Sequence, residues 1–121
     1  MTLIKYCEDG IRHVDYWSVL KVSNDHEVTY RLLSSTDDDV FDRWRLNSRI
    51  VNFTLEQGVV DFHGYSGSVY RCRLKDEMLN PIMASILAQW QDRFENPNYS
   101  IRAIDFDQFV TEWETYKPKW N

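Results

Sequence analysis

Arg49-Ile50-Val51-Asn52-Phe53-Thr54-Leu55-Glu56-Gln57-Gly58-Val59-Val60-Asp61-Phe62-His63 decides the fold of this chain. Val51, Phe53 and Leu55 alternate with Asn52, Thr54 and Glu56, the period-two pattern of a strand with one wet face. Gln57-Gly58 is a turn signal, and residues 59–63 form a second short strand.

The pattern extends in both directions. Upstream, residues 11–22 are rich in β-branched and aromatic types (Ile11, Val14, Tyr16, Trp17, Val19, Val22), which suit strands. Ser23-Asn24-Asp25-His26 is a polar turn. Residues 27–34 then set Val28, Tyr30 and Leu32 against Thr29 and Arg31, so a hairpin is expected. Downstream, Gly64-Tyr65-Ser66-Gly67 reads as a loop with two permissive glycines. Residues 68–74 place Val69, Arg71 and Arg73 opposite Tyr70, Cys72 and Leu74. Residues 34–42 read either as a solvated loop or as a short helix. In the helical reading Ser35 or Thr36 caps it, Asp37, Asp38 and Asp39 fill its first turn, and Val40, Phe41 and Trp44 share a face.

Character changes at Asn80-Pro81, a cap followed by proline at the first helical position. Ile82, Met83, Ile86, Leu87, Trp90 and Phe94 recur at helical spacing up to Asn96-Pro97. Residues 99–104 alternate as a strand. Asp105 with Gln108 resembles a capping box, and Phe106, Phe109, Val110 and Trp113 continue as a second amphipathic helix to about Tyr116. Strands first and helices later give an α+β order. The expected architecture is an antiparallel sheet, a meander of about five strands plus one, covered on one face by one or two C-terminal helices, with residues 1–121 forming one domain.

Composition bounds the function. The chain has 121 residues, 43% hydrophobic and 15% aromatic, with a net charge of −5. That is a globular profile, and its sign opposes general binding to nucleic acid or anionic membrane. No apolar run approaches a membrane span or a signal peptide, so a cytoplasmic protein without membrane contact is expected. Cys7 and Cys72 form no zinc-type spacing with the three histidines, and Asp37-Asp38-Asp39 lacks the glycine and glutamate of a calcium loop. No metal or cofactor is expected. Asn52-Phe53-Thr54 and Asn98-Tyr99-Ser100 match the glycosylation pattern but have no secretion signal beside them.

Two groups of residues could carry chemistry. Asp61, His63, Ser66 and Ser68 supply an acid, an imidazole and two hydroxyls around a glycine-bearing loop, the residue types of a hydrolase. The nucleophile elbow requires Gly-x-Ser-x-Gly before a helix. Here the second glycine is displaced by one position and a strand follows, so a turn with capping hydroxyls is the plainer reading. The second group is electrostatic. Residues 43–75 hold six cations and two anions, whereas the remainder is acidic. Trp44, Arg45, Tyr70, Arg71 and Arg73 combine arginine with aromatic rings, the composition of a protein-interface hot spot and of a single-stranded nucleic-acid surface. Internal pairing of these arginines with the acidic helices is the structural alternative. The terminal Trp120 reads as docked on the sheet or as an anchor for a partner.

The expected function is therefore a small non-enzymatic protein-binding or regulatory protein, acting on a protein partner or on a second copy of itself. Small acidic bacterial inhibitors and phage accessory proteins share this general profile. A small enzyme using the 61–68 loop and a single-stranded nucleic-acid binder using residues 43–75 are the alternatives.

Overall fold

A computed structural model describes residues 5–6, 10–37 and 42–116. Its elements in chain order are β1 (Lys5–Tyr6), β2 (Arg12–His13), β3 (Tyr16–Asn24), β4 (Val28–Asp37), β5 (Asp42–Glu56), β6 (Val59–Gly64), β7 (Val69–Arg73), α1 (Pro81–Phe94), β8 (Tyr99–Ile104) and α2 (Phe106–Tyr116). Among the described residues the strand order is β1-β2-β7-β6-β5-β4-β3-β8. The α+β architecture expected from sequence is present: a meander through β3 to β7, an added strand β8, and two C-terminal helices.

The meander rolls up on itself. β2 pairs with β7 at one end of the order, yet only Val14 and Asp15 separate β2 from β3 at the other. Five consecutive antiparallel strands leave the last running the same way as the first, so the closing seam is parallel. Val14 N donates to Arg71 O (3.3 Å) and Met78 N to Trp17 O (2.9 Å). The Trp17 indole nitrogen donates to Arg73 O at 2.7 Å. Val19, Leu32, Ile50, Phe62 and Cys72, one from each of β3 to β7, are fully buried together inside. Burial pushes the Cys72 thiol well up, which makes it an inert core residue.

Two irregularities in β5 allow this curvature. Between the rungs Arg31↔Arg49 and Leu33↔Leu46, β5 carries one residue more than β4. Between Ile50↔Gly64 and Asn52↔His63, it carries one more than β6. Such bulges bend a strand and reset which face its side chains point to. Ile50 and Phe53 would face opposite ways in an unbroken strand, but both pack on the interior cluster.

The helices take opposite faces of the strands they share. Leu20 and Leu33 pack with Met83 and Leu87 of α1, while their neighbours Val19 and Leu32 pack with Phe106, Phe109 and Trp113 of α2. Both faces of β3 and β4 are thus covered, rather than the one face expected from sequence, because adjacent residues of each strand are apolar on both sides. Asn80 fixes the start of α1 twice: Met83 N donates to its Oδ1 at 2.9 Å, and its Nδ2 donates to Ser35 Oγ at 2.8 Å. That serine is therefore not a cap for a local helix. β4 continues to Asp37 and β5 begins at Asp42, with these two residues paired, so at residues 34–37 and at Asp42 strand replaces the loop or helix expected over residues 34–42. The inter-strand ladder satisfies backbone groups that a capped helix would have used. Asp38, Asp39, Val40, Phe41, Cys7 and Trp120 lie outside the described residues.

The free edge of β8 is partly occupied by the chain itself. Gln91 Nε2 donates to Ile101 O at 2.8 Å, and Tyr99 exchanges both backbone bonds with Asn96 at 3.0 Å. Among the described residues, no helix is long and apolar enough to cross a membrane.

Candidate functional site: an aromatic-walled groove

The outer faces of β3, β4 and β5 and the C-terminal half of α1 enclose an open groove of about 560 Å³, within the usual range for a ligand site. Leu20 and Val22 of β3, Thr29 and Arg31 of β4, and Leu46, Ser48 and Arg49 of β5 form its floor. Trp90 and Phe94 wall one side because they sit four residues apart on one face of α1. Tyr65, on the β6–β7 loop, and Tyr99, at the start of β8, complete the ring of aromatics. Tyr65 is 63% and Phe94 46% exposed, so both side chains can still bury area against a ligand.

The bulge in β5 builds the polar part of the floor. In a regular strand Ser48 and Arg49 would point to opposite faces, yet both line the groove. Arg49 is thereby brought beside its register partner Arg31. The Arg49 guanidinium lies 4.6 Å from the centroid of the Tyr65 ring, a cation–π contact. The Tyr65 loop is held over β5 by Ser48: Ser66 N donates to Ser48 Oγ at 3.1 Å, and the two hydroxyls are 3.2 Å apart. Arg31 is half-buried, and among the described residues no acidic side chain pairs with it. Glu27 also lines the groove but is exposed. Just above the groove, Trp44 is 41% exposed and meets Trp90 edge-to-face at 5.6 Å.

The residues singled out from sequence are distributed differently. Asp61 and His63 point outward on β6, but both Asp61 carboxylate oxygens accept from Arg71, each at 2.8 Å. Ser66 is engaged with Ser48, and Ser68 contributes its carbonyl to Gly64 N at 2.8 Å. Among the described residues no hydrogen bond joins His63 to Asp61, Ser66 or Ser68. The nucleophile–base–acid chain that a hydrolase requires is not assembled in this arrangement.

Arg71 and Arg73 share the outer face of β7 as expected, and each is paired: Arg71 with Asp61, and Arg73 with Asp76 at 2.8 Å. Their partners are local acids rather than the C-terminal helices. Tyr70 turns inward and is buried, its hydroxyl accepting from Arg12 Nη1 at 2.6 Å, so it is not on a surface with the arginines. Arg71 and Arg73 lie level with Thr54 and Glu56 through β6. Trp44 and Arg45 stand at the other end of β5, roughly 30 Å away along the strand. The structure does not bring these two halves of the basic–aromatic set together. Among the described residues no cluster of histidine, cysteine and acidic side chains could hold a metal ion.

Sequence reading missed Arg31, Arg49, Tyr65, Phe94 and Tyr99 as one constellation. The available signal was Phe94: it extends the apolar stripe of α1 to the last helical residue, where less sheet remains to cover it. No protein-family model, no curated protein and no solved structure matches this chain.

Proposed function

We propose that this protein is a non-enzymatic binding protein whose working surface is the groove between α1 and strands β3–β5, and that its partner is another protein. One observation carries the reading: four rings (Tyr65, Trp90, Phe94 and Tyr99) line an open groove that contains Arg31. Tryptophan, tyrosine and arginine around a desolvating pocket are the residue types that dominate interface energies. Trp44 beside Trp90 extends the same surface, whereas the guanidinium groups of β7 already have acidic partners. A single-stranded nucleic acid would draw on the same rings and arginines. The net charge of −5 and Glu27 in the groove weigh against a polyanion.

The test is comparative. Partners are captured from a lysate of the native host with the wild-type chain, with Phe94→Lys and with the Arg71→Glu, Arg73→Glu pair, and binding is then measured with the purified partner by calorimetry. A partner lost with Phe94→Lys and kept with the β7 pair supports the groove. Retention of every partner by Phe94→Lys overturns it.

A further inference from the structure

Arg31 and Arg49 stand opposite each other across β4 and β5 and open into the same groove. Like charges in directly opposed positions of a sheet repel. Arg49 lies against the Tyr65 ring, while Arg31 is half-buried and no acid among the described residues pairs with it. A guanidinium in this position is complementary to a carboxylate, which it can hold through two parallel hydrogen bonds. The surroundings add a second requirement. Leu20, Val22 and Leu46 floor the groove, and Trp90 and Phe94 wall it, so the carboxylate must come attached to apolar groups. The chain as a whole carries −5 and would not steer an acid from a distance. Recognition rests on contact rather than on long-range attraction.

Resting on the groove reading above, we infer that the partner presents a short acidic–apolar peptide segment, with one carboxylate on Arg31 and an adjacent aromatic or aliphatic side chain against Trp90 and Phe94. Side chains carry the recognition. The segment does not extend the sheet past β8, where Gln91 and Asn96 already take backbone groups of Ile101 and Tyr99.

The experiment selects a display library of random short peptides on the immobilised full-length protein, with Phe94→Lys as the counter-selection. Enriched peptides are synthesised and titrated by calorimetry. Enriched sequences are expected to carry Asp or Glu beside Phe, Leu or Trp. Replacing that acid by its amide is expected to weaken binding about tenfold to wild type and to have no effect on Arg31→Met, the signature of a direct pair in a double-mutant cycle. Peptides without an acid, or acidic peptides that bind Arg31→Met as tightly as wild type, overturn the inference. If nothing is enriched while Phe94→Lys still breaks the native complex, the peptide class is wrong and the groove stands. If Phe94→Lys keeps every partner, the groove reading itself fails. Competition by oligothymidylate at low salt would assign the groove to single-stranded nucleic acid. A wild-type dimer that Phe94→Lys dissociates in light scattering would assign it to a second copy of the chain. Either result overturns the inference.

Discussion

The Tyr30 hydroxyl donates to Glu112 Oε1 at 2.6 Å, and Lys21 Nζ lies 2.9 Å from the same oxygen. Gln108 Nε2 donates to the other carboxylate oxygen at 2.8 Å. This carboxylate ties α2 to β3 and β4. The Tyr30 hydrogen bond, aided by those from Gln108 and Lys21, holds it at about 2 against an ordinary 4.5. A depressed folded value stabilises fully above the unfolded value and is lost as pH falls from about 4.5 through about 2. Glu112→Gln should therefore cost about 1–3 kcal/mol at pH 7, and this difference should shrink towards pH 2. Urea unfolding of both proteins at pH 7, 4 and 2 checks it; a pH-independent difference would contradict the assignment.

At the other end of α2, Phe106 N donates to Glu77 Oε2 at 2.7 Å. Burial pushes the Glu77 carboxyl up, the Phe106 bond opposes this, and Asp105 and Asp107 add to the rise. An acid whose folded value is raised holds its proton more tightly when folded, so its contribution weakens as pH rises through that value. Glu77→Gln keeps an acceptor for Phe106 and removes the charge. It should raise the melting temperature at pH 8, whereas Glu77→Ala should lower stability by about 1 kcal/mol by leaving the Phe106 amide without its partner. Thermal melts of the two variants side by side separate charge from hydrogen bond.

The β5–β6 turn places Gln57 at φ 53° and Gly58 at φ 79°. Two positive values at the centre of a two-residue loop define a type I′ turn, where Asn-Gly is the preferred pair. Gln57→Asn should stabilise the protein by about 0.5 kcal/mol, and Gly58→Ala should destabilise it by about 1 kcal/mol. Chemical denaturation midpoints measure both; equal midpoints for the two variants would rule out the turn assignment.

Gly64 is required by close approach rather than by its backbone angle. A Cβ there would lie 2.7 Å from Ser48 Oγ and 2.9 Å from Asn47 Oδ1. Asn47 is buried, and its Oδ1 already accepts from Ser48 N at 2.8 Å, so this packing has little slack. Gly64→Ala should cost about 1–3 kcal/mol and release the Ser48–Ser66 contact that holds Tyr65 over the groove. Urea unfolding gives the first effect, and faster proteolysis at the 64–67 loop reports the second.

Local features were legible in the sequence. Gln57-Gly58, Asn80-Pro81 and the Phe106, Phe109, Trp113 spacing each encode their element within a few residues, and each element formed as read. The bulges in β5 were not legible, because an extra residue leaves no mark on an alternating pattern. Parity places Ile50 opposite Phe53 and Ser48 opposite Arg49, and the structure joins each pair on one side. The groove depends on that resetting and on residues drawn from β3 through β8, so it could not be assembled from spacing alone. The β7 arginines were correctly placed on one face. Their pairing with Asp61 and Asp76 follows from the register of β6 against β7 and from a turn, neither of which composition encodes.

The parallel seam also bears on when the molecule can form. Its contacts join residues 56 and 58 positions apart, as in Trp17 to Arg73 and Arg12 to Tyr70. At roughly 5–20 residues per second of synthesis, the strand that opens the roll waits about 3–12 s for the one that closes it. Through that interval Trp17 has neither Arg73 nor Phe106 to cover it, and the nascent chain exposes its largest core side chain. Closure of so distant a pair makes slow, late consolidation the expected folding behaviour.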